Sequence, residues 1–572
     1  MLPNRKSRLV LTVAFFYLIV SQAFAQKESY VQSIGKQNHW VDSVFKRLSR
    51  KQKIAQLFFV RAHTDKGQRY EDSVAQVIKD QQVGGLVFFQ GGPVRQADLE
   101  NRYQKIAKVP LLIAMDGEWG LGMRLDSTIS YPYQMTLGAI RDNTLIYKMG
   151  EQVAYDFKRL GVQMNFGPDM DVNNNPNNPV INYRSFGDNK HNVAEKGIAY
   201  LMGMQDGGLL TTAKHFPGHG DTNVDSHLAL PLLPFSRERL DTLEEYPFRQ
   251  AIKAGISGVM IAHMDIPALD STKNLPSTLS HKIVTGVLKD SLGFKGLVVS
   301  DAMEMKAVSK GFPNGEGELK AFIAGNDIIE LSPNSETAIA KIRKAVRKGQ
   351  ISAADLDQRV KKILEAKYWA GLNKPKEVTT THLTEDLNRP AATQLVQQLS
   401  DAAVTVIKGN SAALEMDPLL KTAIVSIGVG EHTLFQQEIA RSYPNCRLFI
   451  VNKDTPIKQL NEILAALRQY DQVFIGVHDT RLRPQSKLDY SLAVKQFTAD
   501  LAAYPRTVAC VFANPYTIAT LPGIEKAGAL LVCYQMSDDM QKAAAKVITQ
   551  RVHASGKLPV TINSSFVNGM GL

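Results

Sequence analysis

Eight short apolar runs recur between residues 54 and 335, and helical patterns separate them. The runs lie at 54–60, 85–89, 111–115, 162–166, 209–213, 258–262, 296–299 and 327–331. Each has the length of a strand, and strands that alternate with helices are typical of βαβ units with parallel strands. Eight such units in succession predict a (β/α)₈ barrel.

Polar residues stand where many of these runs end. They are Asp116, Asp169, Asp171, Lys214, His215, His263 and Asp301. Any one of them has the alternative of being a helix cap or a loop carboxylate. Because the active site of such a barrel lies at the carboxyl ends of its strands, the shared position predicts that these side chains converge.

A second apolar pattern follows a helical stretch at 338–369 and a polar segment at 372–390. Its runs lie at 403–407, 423–427, 448–451, 473–477, 508–512 and 529–533, with helical patterns such as 457–470 and 538–551 between them. This alternation predicts a doubly wound αβα sandwich, an α/β sheet covered on both faces. We therefore predict a barrel unit at 26–371, a linker at 372–394 and a smaller α/β unit at 395–572.

The N-terminus has the pattern of a secretory signal peptide. Three cations precede an apolar run at 9–20, and Ala23-Phe24-Ala25 stands ahead of Gln26. We predict cleavage after Ala25 and export to the periplasm or the medium. An uncleaved anchor is the alternative, but the run is shorter than the ~20 residues that span a bilayer. We therefore expect no stable membrane span after cleavage.

Composition adds a few limits. The chain of 572 residues is 44% hydrophobic, which is typical of a globular protein of two or three domains. Its formal charge of +12 falls to +9 without residues 1–25. The basic residues are scattered, so no nucleic-acid partner is predicted, whereas an anionic polymer or cell-wall fragment fits the charge. The three cysteines are expected to be free thiols.

The most informative segment is KHFPGHGDTNVDSHLALP at 214–231. It holds three histidines, two aspartates, a lysine and two glycines, which is too polar for a core and suits a substrate site. With one motif before it and one after it, the segment resembles glycoside hydrolase family 3, and more narrowly its β-N-acetylglucosaminidase branch. The motifs stand in the family's order: RSFG at 184–187, KHFPGHG at 214–220, DSH at 225–227 and SDAM at 300–303.

The resemblance implies a retaining exo-β-N-acetylglucosaminidase. Retention requires a carboxylate that attacks the anomeric carbon and a group that protonates the leaving oxygen. Asp301 matches the nucleophile, and His227 with Asp225 matches the branch's acid/base pair on a loop. An imidazole titrates near neutrality, and a carboxylate neighbour orients it and stabilises its protonated form. The alternatives are a helix-capping aspartate and a structural loop histidine.

The resemblance also implies a carbohydrate partner and a set of sugar contacts. Lys214 and His215 match the family's pair at the end of the fifth strand, and Asp116, Arg124 and Arg184 match its other contacts. Both arginines have the alternative of pairing with barrel carboxylates. His263 fits the site by its position, and a packed histidine is equally consistent with the sequence. No metal and no cofactor are predicted.

One loop departs from the family pattern. After Asp116 the usual Gln-Glu-Gly-Gly-Arg run is replaced by GEWGLGMR at 117–124, which keeps the distance to Arg124 but adds Trp119. Trp119 is either a platform on which a sugar stacks or a plug between loops. The aglycone preference is left open.

Other functions remain as alternatives. A family 3 β-glucosidase takes its acid/base glutamate from the second domain, and a β-glycoside phosphorylase uses phosphate as the acceptor. A metal-dependent barrel hydrolase with the ligands His215, His219, Asp221 and His227 is disfavoured, because Pro217 and Gly218 keep the first two off a common helix. A lone Gly428-Val429-Gly430 after a predicted strand is a weak nucleotide signal.

Overall fold

A computed structural model describes residues 28–572, so the predicted signal peptide lies outside the described residues. The first unit is a sheet of eight parallel strands in the order β7-β6-β5-β4-β3-β2-β1-β8. The strands are β1 Phe58–Ala62, β2 Gly85–Phe88, β3 Leu112–Met115, β4 Met164–Asn165, β5 Leu210–Phe216, β6 Gly258–Ile261, β7 Leu297–Ser300 and β8 Ile329–Glu330.

Hydrogen bonds between the two end strands complete the ring. The N–H of Ser300 donates to the carbonyl of Ile328 (2.9 Å), and the N–H of Ile328 donates to the carbonyl of Val298 (3.0 Å). The predicted (β/α)₈ barrel is thereby confirmed. Because all eight strands are parallel, their carboxyl ends meet at one mouth.

Helices surround the barrel. Their bounds are Tyr30–Ser33, His39–Arg47, Arg50–Ala55, Gln68–Gln81, Pro93–Ile106, Gln134–Gly138, Asn143–Leu160, Lys190–Asp206, Arg237–Arg239, Leu240–Glu244, Tyr246–Lys253, Lys282–Ser291, Lys306–Ser309, Glu316–Ala324, Ser335–Arg347 and Ala353–Trp369. Several begin at a side-chain cap: Asp142 accepts from the N–H of Thr144, and Asn189 accepts from the N–H groups of His191 and Asn192. These caps satisfy amide donors that have no partner within the helix.

The first and fifth strands differ from the apolar runs that predicted them. The run 54–60 begins inside the helix Arg50–Ala55, because Ser49 and Gln52 form a capping box that starts a helix there. In the fifth unit the strand continues to Phe216, so Lys214 and His215 belong to β5 itself. The predicted helical stretch at 338–369 is two helices, broken between Arg347 and Ala353.

The second unit is a six-stranded sheet in the order β11-β10-β12-β13-β14-β9. Its strands are β9 Thr405–Lys408, β10 Thr422–Ile427, β11 Cys446–Val451, β12 Gln472–His478, β13 Thr507–Phe512 and β14 Ala529–Val532. Five strands are parallel, and β9 pairs antiparallel with β14 at one edge. The short helix Leu383–Asp386 precedes this unit, whose helices are Pro390–Ala403, Ser411–Leu414, Leu434–Ala440, Ile457–Leu467, Leu492–Ala502 and Asp538–Ile548.

The crevice at which such sheets bind nucleotides is filled by Tyr490. In open α/β sheets this crevice lies where the strand order reverses, here between β10 and β12. The Tyr490 hydroxyl donates to the carbonyls of Ile427 (2.9 Å) and His478 (2.7 Å). Gly428 has φ 91°, and a Cβ there would lie 2.0 Å from this hydroxyl. The glycine of the GxG pattern therefore accommodates Tyr490.

The second unit contacts the barrel at the loops after β3 and β4. The Tyr133 hydroxyl donates to the carbonyl of Leu482 (2.8 Å), and the N–H of Tyr133 donates to Gln535 (2.9 Å). The carboxylate of Asp188 accepts from the N–H of Thr561 (2.6 Å) and from Asn568 (2.6 Å). The second unit thus borders one side of the barrel mouth.

All three cysteines are free, as expected; Cys510 and Cys533 are buried and Cys446 is half-buried. Within residues 28–572, every helix is too short or too polar to cross a membrane.

Candidate active site

Asp116 joins the two cations Lys214 and Arg124 at the barrel mouth. It follows β3 directly, and Lys214 comes from β5, two strands further round the ring. The Lys214 ammonium lies 2.8 Å from one carboxylate oxygen of Asp116, and the Arg124 guanidinium lies 2.7 Å from the other. Burial raises the pKa of Asp116, but the charges of Lys214 and Arg124 outweigh it and hold that pKa far below the usual value. Asp116 is therefore ionised at every physiological pH.

Glu118 forms the second half of this ion network. Its side chain is completely buried, and it lies 2.6 Å from the Arg184 guanidinium and 2.8 Å from the Lys214 ammonium. Burial opposes its ionisation, yet Arg184 and Lys214 lower the pKa of Glu118 to about 2. Burial likewise lowers the pKa of Lys214, and Asp116 and Glu118 raise it above its usual value. Each of the three cations is thus paired with at least one of the two carboxylates.

Asp171, after β4, holds the segment that carries His215 and His219. Its carboxylate accepts the backbone N–H of His215 (3.2 Å) and of His219 (2.6 Å), and the Nδ1 of His215 lies 2.8 Å away. Gly220 follows this segment and approaches the loop after β4 closely. A side chain does not fit there, because a Cβ at Gly220 would lie 1.8 Å from the carbonyl oxygen of Val172. His215 is therefore fixed in one orientation, with its Nε2 3.4 Å from Arg184.

The only group of three or more potential metal ligands among the described residues is Asp169, Asp171 and His215. Asp171 and His215 already use their facing atoms on each other, and Asp171 accepts two backbone N–H groups as well. Arg184 also lies 3.7 Å from Asp169 and competes with any cation. These three residues therefore form a hydrogen-bonded group that holds the segment after β5. His219, one of the ligands of the metal-hydrolase alternative, uses both ring nitrogens elsewhere.

The loop after β5 carries Asp225, Ser226 and His227. The Nδ1 and the backbone N–H of His227 lie 2.8 and 2.9 Å from one oxygen of Asp225. The side chain of His227 is 64% exposed, whereas Ser226 between the two is buried, with its hydroxyl 3.3 Å from the Nε2 of His219. Ser226 thereby ties the loop to the barrel.

His219 is a neutral anchor at this point. Its Nδ1 lies 2.8 Å from the hydroxyl of Thr222. Burial, with a smaller effect of the nearby His215, lowers the pKa of His219 to about 4. An uncharged imidazole can accept at one nitrogen and donate at the other, which suits it to link Thr222 and Ser226.

Asp301 follows β7 directly. Its N–H donates to the carbonyl of Ile261 on β6 (3.0 Å), and its carboxylate accepts the N–H of Ala302 (2.7 Å). Burial raises the pKa of Asp301, but His263, His215 and the Ala302 amide together bring that pKa below the usual value. Asp301 is thus an ionised, half-buried carboxylate at the mouth.

His263 is packed beneath Asp301. It is completely buried, with Nδ1 2.6 Å from the hydroxyl of Thr278 and Nε2 3.1 Å from the carbonyl of Ala302. Burial lowers the pKa of His263. These contacts are those of the packed-histidine alternative, and they hold the peptide that follows Asp301.

Trp119 belongs to an aromatic cluster beside the ion network. Its ring meets Tyr133 edge-on at 4.9 Å and lies 6.1 Å from Tyr183, and the two tyrosines are 4.9 Å apart. Trp119 is half-buried. It therefore packs between the loops after β3 and β4, which fits the plug alternative, while part of the indole stays exposed.

A family model matches the barrel that carries this site. The model described as the glycosyl hydrolase family 3 N terminal domain matches residues 49–366, more than half of the chain. The chain belongs to glycosyl hydrolase family 3. The prediction of a glycoside hydrolase is thereby confirmed.

Relatives of this family 3 chain extend the match over both units. A protein named beta-hexosaminidase A, from Pseudoalteromonas piscicida, is 27% identical over 551 residues, which cover 86% of this chain and 91% of that protein. A beta-N-acetylglucosaminidase/beta-glucosidase from Cellulomonas fimi is 26% identical, covering 66% of this chain and 67% of that one. The solved family 3 beta-N-acetylglucosaminidase from Paenibacillus sp. str. FPU-7 is 32% identical, with a TM-score of 0.75, and the match covers 90% and 99% of the two chains.

More distant structures share the fold alone. A beta-glucoside phosphorylase has a TM-score of 0.78 at 22% identity, over 91% of this chain and 96% of that one. The barrel and the second sheet thus occur together in other proteins.

Two carboxylates in this family 3 site were not predicted from the sequence. They are Glu118 and Glu330, the latter at the end of β8. Burial and the nearby Asp116 and Asp301 raise the pKa of Glu330 well above its usual value. The sequence does contain a signal for Glu118. Three predicted sugar contacts are cations, and buried cations need anionic partners, so a second carboxylate beside Asp116 is expected.

We expect Glu118→Gln to destabilise the fold, because Arg184 and Lys214 would lose a shared buried anion. The unfolding free energy at pH 7 should fall by about 3 kcal/mol. Since the pKa of Glu118 is about 2 in the fold against an ordinary 4.5, its contribution is complete above pH 4.5 and disappears as the pH falls towards 2. Urea unfolding at pH 7 and pH 3 measures both effects.

Glu304→Gln is the matched control. Glu304 pairs with Arg61, but its side chain is 44% exposed, so its loss should cost less than about 1 kcal/mol. Equal stabilities for the two variants at pH 7 would contradict a structural role for the Glu118 ion network.

Proposed function

We propose that this family 3 chain is an exported, retaining exo-β-N-acetylglucosaminidase. It removes terminal β-linked N-acetylglucosamine from glycans or peptidoglycan fragments. The observation that carries the proposal is the Asp225–His227 hydrogen bond, 2.8 Å long, on a loop beside the ionised Asp301. The names of the relatives, beta-hexosaminidase and beta-N-acetylglucosaminidase, support the choice of sugar.

Asp301 is the nucleophile of a double displacement in this proposal. Its lowered pKa keeps it ionised at the start of the reaction, and the Ala302 amide fixes one oxygen. The carboxylate attacks the anomeric carbon as the leaving oxygen departs, and water then hydrolyses the glycosyl ester. The packed His263 keeps the following peptide in place.

His227 is the acid and then the base. The hydrogen bond that Nδ1 of His227 donates to Asp225 directs the opposite ring nitrogen, Nε2, away from Asp225. Protonated Nε2 gives its proton to the leaving oxygen, and the neutral ring later takes a proton from water. Exposure of the loop suits a group that approaches the glycosidic bond when substrate is bound. Asp225 orients the ring in both steps.

The ion network binds the sugar. The cations Lys214, Arg124 and Arg184 donate to hydroxyl groups, and Asp116 accepts from them. The ion pairs among these groups fix the side chains in position. They also offset the cost of burying the charges. His215, fixed by Asp171, adds a further polar contact.

The domain plan and the location complete the proposal. Residues 1–25 are removed as a signal peptide, residues 26–371 form the catalytic unit, and residues 395–572 form the second unit after a linker at 372–394. Within the proposed linker lies the helix Leu383–Asp386. A mature charge of +9 suits anionic cell-wall fragments.

Asp301→Ala should reduce kcat by on the order of 10³ or more while leaving thermal unfolding nearly unchanged, because no other covalent route remains. A fluorinated N-acetylglucosaminyl analogue should form a stable adduct that mass spectrometry of peptides assigns to Asp301. An adduct on a different residue would overturn the assignment.

His227→Ala should harm substrates with poor leaving groups most. A disaccharide, whose leaving group is a sugar hydroxyl, should lose on the order of a hundredfold in kcat, and a dinitrophenyl glycoside, whose leaving group departs with little protonation, should lose about tenfold or less. Asp225→Ala should add little to His227→Ala, because the two act as a unit. Equal losses on both substrates would rule out His227 as the acid.

The sugar preference separates this proposal from a β-glucosidase. We expect kcat/KM for nitrophenyl β-N-acetylglucosaminide to exceed that for the β-glucoside by about tenfold or more, since unmatched buried polar groups cost about 1–3 kcal/mol each. Both assays are run with and without phosphate. A higher efficiency on the glucoside would favour a β-glucosidase. Glycosyl phosphate as the main product would favour a phosphorylase, because a histidine acid/base carries no negative charge that would repel phosphate.

A further inference from the structure

Buried amide side chains join the second unit to the loop that carries Arg184. From the barrel come Asn173 and Asn182, and from the end of β13 come Asn514 and Tyr516. All four residues are buried. The Asn514 amide donates to the side-chain oxygen of Asn182, and the Asn173 amide donates to the Tyr516 hydroxyl at 3.1 Å. The two units thus meet through polar groups that water does not reach.

These contacts fix the turn on which Arg184 sits. Asn182 begins the turn Asn182–Arg184 with φ 42°, in the left-handed region that few residues other than glycine adopt. Its N–H donates to the side-chain oxygen of Asn173 (3.0 Å), and its amide donates to the carbonyl of Pro176 (2.9 Å). With the bond from Asn514, every polar group of the Asn182 side chain is used, so the turn has one satisfied arrangement.

The same network reaches the histidine loop. Asn178 donates from its amide to the backbone carbonyl of His219 (2.9 Å), and its side-chain oxygen accepts the N–H of Ile181 (2.9 Å). His219 in turn contacts Ser226, the residue between Asp225 and His227. The barrel loop braced by the second unit is therefore in contact with both sides of the site.

We propose that Asn514 and Tyr516 of the second unit are positioning residues for Arg184. They act through Asn182 and Asn173, and they hold the guanidinium where it meets both Glu118 and the sugar. The inference rests on the proposed role of Arg184 as a sugar contact. It assigns the second unit a task in substrate binding although none of its residues takes part in the chemical steps.

The test is a double-mutant cycle in the full chain. Asn514→Ala should raise KM for nitrophenyl β-N-acetylglucosaminide about fivefold to tenfold and change kcat less than about twofold, because a displaced Arg184 weakens binding. In an Arg184→Ala background the same substitution should change KM by less than about twofold, since residues acting through one contact are not additive.

Tyr516→Phe and Tyr534→Phe form a matched pair. Both remove a buried hydroxyl of the second unit, but Tyr534 bonds to Thr405 of the same unit (2.7 Å) and lies outside the network. Both should lower the midpoint of thermal unfolding slightly. Only Tyr516→Phe should raise KM, by about threefold, which a general loss of stability does not explain.

The outcomes separate the two claims. If Arg184→Ala leaves KM unchanged, the proposed sugar contact is wrong. If Arg184→Ala raises KM but Asn514→Ala has the same effect in both backgrounds, the positioning role is wrong. It is also wrong if Tyr534→Phe raises KM as much as Tyr516→Phe does.

Discussion

The mouth of the barrel depends on the pairing of buried charges. Lys214 is almost completely buried, and it would be far too costly there without Asp116 and Glu118 on either side. The same two carboxylates hold Arg124 and Arg184. This set joins β5 to the loops after β3 and β4, so the position of each proposed sugar-binding group depends on the others. A site built in this way keeps its shape before substrate arrives, which lowers the cost of ordering on binding.

Around this network the supporting contacts form a hierarchy. Asp171 fixes the backbone at His215 and His219, and His219 fixes Ser226 in the middle of the histidine loop. The tip of that loop is left exposed. Rigid groups thus form the proposed sugar site, whereas the proposed acid/base, His227, is exposed. An exposed loop suits a group that approaches the glycosidic bond when substrate is bound.

The second unit illustrates how a fold is reused without its usual site. Its sheet has the crevice at which doubly wound proteins bind nucleotides, but Tyr490 occupies it with three hydrogen bonds. The unit contacts the barrel instead through the buried Asn514 and Tyr516 and through Thr561 and Asn568. The proposed contribution of the unit is support for barrel loops, made by buried polar side chains that bond to one another.

The sequence by itself determined the barrel, because eight apolar runs of strand length leave few other ways to bury their side chains. It also determined which polar residues converge, since those that follow parallel strands meet at one mouth; Asp116 and Asp301 are examples. Local pattern was less reliable at boundaries: the capping box at Ser49 turned the start of one apolar run into helix.

Tertiary structure alone decided which partners these residues have. Glu118 lies in a glycine-rich loop whose sequence predicts an exposed position. Only closure of the ring places it between Lys214 and Arg184. Asn514 and Asn182 meet although 332 positions separate them in the chain. No periodicity encodes such a pair, because hydrogen bonds between distant segments depend on where folding brings them. Burial then makes each of these contacts necessary, since an unpaired polar group inside the protein costs more than the bond itself contributes.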